Sequence, residues 1–446
     1  MQKAGWKKMA SKNRIFVPDY YYDFKCIADK CSHTCCEGWE IDIDDDSLNR
    51  YEKFPEICSK IDYNDIPHFI LDEKERCPFL QDTGLCEMIL KYGEDMLCQT
   101  CTDHPRFRNF WEDRIEMGLG LVCEEAIRCV IQCKGVSNFR ELNSKNALSL
   151  SPDAYLDTSN TLPDDEKWLF EERFNLIREN EHYFEARYGS DLNLSSDFNN
   201  GSEIINYFTR LREYFLFRHI PDALYDDRLE ERIQFIDYLI DLVYRNWQDS
   251  DKTFDSLVEC IREISYDYEY DEDRKEQILN KFYIENAELV LLTEDDYEEV
   301  VALYKSALGT PGCVWTESYP TKDLLKEDIK TQSLYGLFSN EGTLIAAIAV
   351  DRDEEVDKLP CWSENLRPSK ELARLVVSTD YRNLGIARNM IKKIMPILKA
   401  QGNKSVHYLV CDDNPQAIRS YASLEFNNVG RASMFGEEFT CYEKAL

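Results

Sequence analysis

Cysteine thiols dominate the chemistry that residues 25–39 could perform. This segment reads KCIADKCSHTCCEGW and places Cys26, Cys31, Cys35 and Cys36 within eleven positions. Of the 17 cysteines in the chain, 12 fall between Cys26 and Cys133. In a reducing cytosol such a cluster favours a metal or iron–sulfur site over a framework of disulfides.

Three later motifs supply further thiols. They read CPFLQDTGLC, CQTCTDHPR and GLGLVCEEAIRC, and they contain only one Cys-x-x-Cys pair, whereas ordinary zinc fingers use two. The spacing leaves iron–sulfur and zinc both open, and burial of some cysteines as small apolar side chains is the alternative. The candidate ligands that we expect to lie close together are Cys31, Cys35, Cys36, Cys77, Cys86 and Cys101, with Cys26, Cys98 and Cys123 as second-rank members.

A second candidate site lies at a strand–loop–helix junction within LVVSTDYRNLGIARNMI, residues 375–391. Gly385 and the small Ala387 allow backbone N–H groups to approach an anion closely, and the dipole of the following helix favours negative charge there. A pyrophosphate group could therefore bind at this junction. Close packing of the helix against the strand is the ordinary alternative.

The surrounding pattern predicts the elements that position these two sites. Between residues 151 and 285, apolar residues recur at intervals of three and four, which predicts amphipathic helices that Pro221 interrupts. The acidic run at residues 266–276 could attract a basic partner, but a solvated helix end or linker is the more ordinary reading. From about residue 286 the pattern predicts a strand, a helix, a hairpin at Gly342, a strand, a long helix ending near Gly402, and a further strand.

Length and charge limit the classes of function. A chain of 446 residues exceeds what one core usually supports, so two or three domains are expected. The net charge of -32 opposes binding to nucleic acid and to anionic membranes. The sequence shows neither an apolar run typical of a signal peptide nor one long enough for a membrane span, so we expect a cytoplasmic protein.

The cysteine motifs carry a resemblance to a known family. The order C-x4-C-x3-C-C-x-G-W, C-P-F-L-x5-C, C-x2-C-x2-H-P-R and G-L-x-L-x-C-x-E-A resembles the flagellin lysine-N-methylase family, and the likeness covers about residues 15–285. This resemblance implies methyl transfer from S-adenosylmethionine to protein lysine, with an iron–sulfur cluster held by cysteines. Flagellin is a possible substrate by resemblance alone. A Gly-rich nucleotide loop is not visible in residues 1–285.

Residues 286–446 resemble the GNAT acetyltransferases. Arg382, Gly385 and Ala387 match that family's R/Q-x-x-G-x-G/A loop, which implies acetyl-CoA as the cofactor and an amine as the acceptor. VCDDNPQAIRSYASLEF resembles the second half of the domain. The resemblance implies Tyr421 as the acid that protonates the departing thiolate and Glu371 as the base, with core packing and a solvated strand-end charge as the alternatives. The implied cofactor-binding residues are Val377, Arg382, Asn383, Leu384, Gly385, Ile386, Ala387, Arg388 and Asn414.

Together these features predict a multidomain α+β protein. A cysteine-rich metal or iron–sulfur module is expected at residues 1–150, and an acidic helical region completing it at residues 151–285. A GNAT α/β domain with a mixed, mostly antiparallel sheet is expected at residues 286–446. The predicted function is a bifunctional enzyme that methylates and acetylates amines, either a protein lysine or a small amine. The alternative is an acetyltransferase whose cysteine module only chelates metal or presents substrates.

Overall fold

Contacts divide the chain into a first unit, Met1–Gln277, and a second unit, Ile278–Leu446. The computed structural model describes residues 14–133, 138–142, 149–188, 201–310, 313, 315–351, 353–382, 384–412, 414, 424–434 and 436–446. Among the described helices, none combines the length and the apolar character that a bilayer-spanning segment requires.

The first unit contains a four-stranded sheet that the sequence pattern does not predict. In chain order the strands of this unit are β1 (Arg14–Pro18), β2 (Ile61–Asp62), β3 (His68–Phe69), β4 (Arg106–Phe110), β5 (Arg114–Leu119) and β6 (Phe139–Glu141). The sheet has the order β4-β5-β1-β6, with β1 parallel to β5 and the other pairs antiparallel. The strands β2 and β3 form a separate pair.

Helices make up most of the rest of the first unit. They are α1 (Asp45–Tyr51), α2 (Pro55–Cys58), α3 (Glu87–Tyr92), α4 (Gln99–Asp103), α5 (Glu124–Ile131), α6 (Pro152–Leu156), α7 (Asp164–Glu179), α8 (Tyr183–Tyr188), α9 (Gly201–His219), α10 (Ala223–Asp226), α11 (Leu229–Asp249) and α12 (Phe254–Glu269). The helix α11 packs against both α9 and α12. An aromatic core beside the sheet includes Phe16, Trp111, Tyr155, Phe170 and Phe174.

The acidic run at residues 266–276 covers the end of one helix and the start of the next, so of the expected helix end or linker it is a helix end. It belongs to the end of α12 and to α13 (Glu272–Asn286), which contains the division between the units. Glu269 is 1% exposed and accepts hydrogen bonds from Arg218 at 3.0 Å and from His219 at 2.9 Å. The expectation of a solvated run is therefore wrong for Glu269, because an ion pair with Arg218 and a hydrogen bond with His219 compensate its burial.

A seven-stranded sheet is the centre of the second unit. Its strands are β7 (Val290–Leu291), β8 (Leu334–Phe338), β9 (Leu344–Asp351), β10 (Ser369–Val377), β11 (Ser405–Cys411), β12 (Asn427–Met434) and β13 (Glu437–Ala445), in the order β12-β13-β11-β10-β9-β8-β7. Only β10 and β11 are parallel to each other. The helices are α14 (Tyr297–Ala307), α15 (Lys322–Lys330), α16 (Glu354–Asp357) and α17 (Ile386–Ala400).

The sequence of α17 explains its position on the sheet. Its residues Ile386, Met390, Ile391, Ile394 and Leu398 are buried and recur at helical spacing, so they form one apolar face. They pack in a core with buried residues of β8, β9, β10 and β11. The expected fold class, a cysteine-rich and mainly helical module followed by an α/β domain with a mixed, mostly antiparallel sheet, is confirmed.

Candidate functional site

The two parallel strands of the second unit diverge partway along their length. Pairing joins Ser369–Glu371 of β10 to Ser405–His407 of β11. Both strands continue beyond these residues, to Val377 and to Cys411, without further pairing to each other. The divergence leaves backbone groups on the facing edges of β10 and β11 available to a ligand that lies between them.

A β-bulge bends β10 where it leaves β11. The pairing of β10 with β9 shifts register between Ala373 and Val376, and Arg374 in the bulge has a φ of +48°. The backbone of a residue other than glycine is strained in this left-handed region, so the surrounding contacts must stabilise it. Arg374 donates to Asp328 at 2.8 Å and to Asp351 at 2.9 Å. These two carboxylates hold the bulge in place.

Glu371 lies at the last paired position before the strands diverge. Its side chain is buried, with 8% of the residue exposed, and its Oε2 atom has no hydrogen-bond partner among the described residues. Burial raises the pKa of Glu371 to about 7, and the charge of Asp351 adds to this shift, whereas Arg374 and the backbone N–H of Asp353 oppose it. A carboxylate with this pKa and an unpaired oxygen is suited to accept a proton near neutral pH.

His407 is the register partner of Glu371 on β11. Its ring lies 4.5 Å from that of Trp362, and its Nδ1 atom has no hydrogen-bond partner in the described part of the chain. Burial lowers the pKa of His407 to about 4, so the ring is neutral at physiological pH. Nothing in the sequence distinguished this histidine from the other five in the chain.

The predicted anion-binding loop leads directly into α17. Gly385 is the residue before the helix and has a φ of +78°, a conformation that glycine adopts without strain. The first N–H groups of the helix lack partners within it, and the helix dipole adds positive potential there. Arg382 donates to the hydroxyl of Thr310 at 3.2 Å, which fixes the start of the loop.

The structure places the remaining predicted cofactor residues around this loop and at the two strand ends. Val377 ends β10, Ile386 is buried, Leu384 is 39% exposed, Ala387 is partly buried and Arg388 is exposed. Asn414 follows β11, and its N–H donates to the carbonyl of Cys411 at 2.9 Å. The two predicted residues Asn383 and Tyr421 lie outside the described residues.

In the first unit, five predicted metal ligands line one cavity of about 270 Å³. Aromatic and apolar side chains, among them Tyr51, Phe69, Phe79 and Met88, complete its walls. Cys98, which the sequence ranked second, is 1% exposed and its thiol is hydrogen-bonded to that of Cys101. The five thiols of this inner thiol group belong to Cys36, Cys77, Cys86, Cys98 and Cys101.

The other predicted ligands form a second set, the outer thiol group of Cys26, Cys31, Cys35 and Cys123. Burial raises the pKa of Cys31 to about 11, and the nearby thiols of Cys123 and Cys26 add to the shift. The pKa of Cys35 is raised as well, chiefly because its thiol is hydrogen-bonded to that of Cys36 and is buried, and the nearby thiols of Cys26 and Cys123 add to the shift. The adjacent pair Cys35 and Cys36 therefore connects the two groups through one peptide bond.

The donor chemistry of these thiols suits a soft metal or an iron–sulfur group, since thiolates are the preferred ligands of both. As placed, however, the described residues contain no set of three or more His, Cys, Asp or Glu side chains arranged to hold one ion. The structure gathers the predicted ligands in two groups and does not bring all of them to one point.

The order of the seven strands, the diverging parallel pair and the glycine before α17 define an acetyltransferase fold of the GNAT type. Residues 300–426 match the model of the acetyltransferase (GNAT) family. The second unit therefore contains a GNAT domain, as the sequence predicted.

Similar solved structures include a GNAT-family acetyltransferase from Streptococcus agalactiae, with 15% identity and a TM-score of 0.31 over 36% of this chain and 95% of that chain. The PaiA N-acetyltransferase from Thermoplasma acidophilum, solved with coenzyme A, has 20% identity and a TM-score of 0.28 over 36% of this chain and 99% of that chain.

The N-terminal third of the chain has relatives of a different kind. The lysine-N-methylase of Salmonella choleraesuis is 26% identical over an alignment of 164 residues that covers 33% of this chain and 38% of that protein. The flagellar biosynthetic protein FliU of Salmonella muenchen is 25% identical over an alignment of 125 residues that covers 25% of this chain and 73% of that protein. The chain thus spans 38% of the length of the lysine-N-methylase that it matches. The predicted resemblance to lysine-N-methylases is confirmed at this level.

Proposed function

We propose that the second unit transfers acetyl from acetyl-CoA to an aliphatic amine, either a protein lysine or a small amine. The observation that carries this proposal is the buried carboxylate of Glu371, which has an unpaired oxygen at the point where β10 and β11 diverge. A base at this position would meet an amine that approaches the acetyl group between the strands.

The reaction needs one base and one acid. Glu371 removes a proton from the acceptor ammonium, and the free amine attacks the carbonyl carbon of the thioester. The new N–C bond forms a tetrahedral intermediate, which collapses with loss of the C–S bond. Tyr421 then gives its proton to the departing CoA thiolate and regains a proton from the attacking nitrogen through water, while the proton that Glu371 took from the ammonium passes to solvent.

Backbone groups would hold the cofactor. The pantetheine arm would lie between β10 and β11 and take hydrogen bonds from the free edge of β10 near Val377. The pyrophosphate would lie against the loop from Arg382 to Arg388, close to the first N–H groups of α17, which have no partners within the helix. Asn414, after β11, would contact the arm from the opposite strand.

The test is release of CoA from acetyl-CoA by the full chain, with a panel of amines that includes lysine peptides and polyamines. We expect at least one amine to stimulate release and to gain 42 mass units, about the mass of an acetyl group less one hydrogen, in a reaction that Glu371→Gln slows by about 100-fold or more. Binding of acetyl-CoA without acetylation of any amine in the panel would contradict the proposal.

A second proposal concerns the first unit. The nine thiols in two neighbouring groups, together with the similarity to lysine-N-methylases, support a module that binds an iron–sulfur cluster, with zinc as the alternative. The inner thiol group is the candidate for the ligands because it has five thiols around one cavity, although no three described thiols are placed to hold one ion as the structure stands. Methyl transfer from S-adenosylmethionine to lysine, including lysine of flagellin, is implied by the resemblance.

Metal analysis distinguishes the two hypotheses for this module, an iron–sulfur methylase-like module and a module that only chelates zinc. The full chain is purified without oxygen, and iron, zinc and acid-labile sulfide are measured beside the absorption spectrum. Iron with sulfide and a broad absorption at about 400 nm favours the methylase-like reading, whereas stoichiometric zinc without colour favours a chelating module. Cys36→Ser should lower the metal content, and Cys260→Ser, a buried cysteine of α12, should not. Protein free of both metals after reconstitution would contradict the proposal.

A further inference from the structure

Two neighbouring thiols of the second unit belong to neither thiol group and have no assigned role. Cys361 lies between α16 and β10, and Cys441 belongs to β13. Both cysteines are free, and the thiol of Cys441 is hydrogen-bonded to that of Cys361. They pack in a small apolar cluster with Val356, Trp362 and Ala432. Two thiols in such contact are candidates for a disulfide, whereas a lone buried cysteine is a small apolar side chain.

Gly430 allows Cys361 to come close to β13. This glycine lies on β12 and is the register partner of Cys441. A Cβ atom at position 430 would lie 3.0 Å from the Cβ atom of Cys361, so a side chain there would push Cys361 away. Opposed residues of antiparallel strands hold their Cβ atoms about 4.5 to 5.5 Å apart. The position of Cys361 over Gly430 therefore places its side chain beside that of Cys441.

The two thiols differ in their access to solvent. Cys441 is 0% exposed, whereas Cys361 is partly exposed. Burial raises the pKa of Cys441 to about 12, and the neighbouring thiol of Cys361 adds to the shift. Cys441 is therefore protonated at neutral pH and shielded from reagents in water. Cys361 is the thiol that a dissolved oxidant meets first.

The segment of residues 361–363 lies against two neighbouring strands, β11 and β13. The ring of Trp362 is 4.5 Å from that of His407, and the N–H of Ser363 donates to both carboxylate oxygens of Glu443 at 3.3 Å. His407 and Glu443 are register partners, so these contacts lie on one face of the sheet. A bond from the first residue of this segment to β13 would fasten the segment to that face.

We propose that Cys361 and Cys441 form an oxidisable dithiol, which a hydroperoxide converts to a disulfide. The sulfur of Cys361 attacks one oxygen of the hydroperoxide, the O–O bond breaks, and the thiol proton leaves with the other oxygen as an alcohol or water. The sulfur of Cys441 then displaces the oxygen of the resulting sulfenic acid, which leaves as water with the proton of Cys441. The thiols lose the two electrons that the hydroperoxide gains. This site depends neither on acetyl transfer nor on a metal in the first unit.

The test is treatment of the reduced full chain with hydrogen peroxide, followed by alkylation of the remaining thiols and mass spectrometry of the peptides. We expect a peptide that links Cys361 to Cys441, at about tenfold or more the level of any link that contains Cys411. Cys411 is the matched control, because it is also buried and follows by two residues the register partner of Cys441 on β11. Recovery of Cys361 and Cys441 without a link between them overturns the proposal.

Single variants test the order of the two steps. In Cys441→Ala the sulfenic acid of Cys361 has no partner, so dimedone, which reacts with sulfenic acids, should label Cys361 after peroxide treatment. In Cys361→Ala the buried Cys441 should stay unlabelled. Cys411→Ala should form the link as the parent does. Labelling of Cys441 in Cys361→Ala, or loss of the link in Cys411→Ala, contradicts the proposed pair of thiols and its order of reaction.

Hydrogen exchange tests whether the bond fastens the segment of residues 361–363. The N–H of Ser363 should exchange about tenfold more slowly in the oxidised chain, because the disulfide restricts local opening of this segment. Reduction with dithiothreitol should restore the original rate. Peroxide should leave the rate unchanged in Cys361→Ala, the control that cannot form the bond. An equal slowing in the parent and in Cys361→Ala, or no slowing in a parent that carries the link, overturns the fastening.

Discussion

Glu371 and His407 face each other across the last register pair of β10 and β11, and each has one polar atom without a hydrogen-bond partner among the described residues. Burial favours the neutral form of both side chains, but it shifts their pKa values in opposite directions. Burial raises the pKa of Glu371 to about 7 and lowers the pKa of His407 to about 4. Only the carboxyl therefore changes its protonation near neutral pH, which makes it the better candidate for the base.

The first prediction concerns this carboxyl. The rate of acetyl transfer should rise with pH through about 7, because the ionised form of Glu371 is the base. Glu371→Gln should lower the rate by about 100-fold or more and abolish this inflection. His407→Gln is the control and should retain the inflection, since the neutral ring does not titrate in this range.

A stability measurement checks the same pKa independently of activity. The folded state holds the proton of Glu371 more tightly than the unfolded state, whose pKa is about 4.5. The stabilising effect of the protonated group is therefore present below that pKa and is lost as the pH rises through about 7. Urea unfolding of Glu371→Gln should show a gain in stability over the parent at pH 8 that is absent at pH 4.

The second prediction concerns Tyr421. Replacement by Phe keeps the ring and removes the hydroxyl, so turnover should fall by about 100- to 10,000-fold while the affinity for acetyl-CoA stays nearly constant. The measurements are the rate of CoA release and the dissociation constant of acetyl-CoA. Unchanged turnover with a well-acetylated amine would remove Tyr421 from the mechanism, and a parallel loss of binding would assign it to cofactor positioning.

The third prediction compares two glycines at opposite ends of α17. Gly385 has a φ of +78° and Gly402 a φ of +90°. Alanine at either position should cost about 1 kcal/mol of stability because of backbone strain. Gly385→Ala should in addition weaken acetyl-CoA binding, since its Cβ would lie 3.3 Å from the guanidinium of Arg388 at the proposed pyrophosphate site. Equal cofactor affinity in the two variants would contradict that site.

The fourth prediction concerns the start of the acetyltransferase unit. Ile284 is 2% exposed within the core beneath the sheet, and its carbonyl accepts from Asn389 of α17 at 2.6 Å. A fragment of residues 272–446 should fold and bind acetyl-CoA. A fragment of residues 286–446 lacks Ile284 and should be less stable by about 2 to 5 kcal/mol in urea unfolding. Failure of the longer fragment to bind acetyl-CoA would contradict an independent second unit.

The sequence predicts the elements of the second unit better than those of the first. The reason is that the turns of the second unit are set by residues close together in the chain, whereas the sheet of the first unit pairs residues far apart in the chain. Gly342 at the hairpin and Gly385 before α17 mark local turns, so the strands and helix around them follow from short patterns. The sheet of the first unit depends on parallel pairing of Arg14 with Arg114, and single-sequence patterns carry no signal for a contact across 100 residues.

The site residues also fall into those with a local sequence signal, which could be predicted, and those without one. The loop from Arg382 to Arg388 was visible because glycine and helix N-termini leave a local signature. The roles of Arg374 and Asp328 were not visible, because a bulge with a positive φ and the carboxylate that holds it come from separate elements. The sequence also does not predict that the cysteines form two groups, because Cys35 and Cys36 are adjacent in the chain and yet belong to different groups.

The gap between β10 and β11 would make a bound cofactor a part of the fold. A pantetheine arm in the gap would act as a surrogate strand that satisfies edge amides otherwise open to solvent. Folding and binding are then linked, so a concentration of acetyl-CoA 100 times its dissociation constant stabilises the unit by about 2.7 kcal/mol. Slower hydrogen exchange along the facing edges of the two strands should report occupancy of the gap before any acetyl group is transferred.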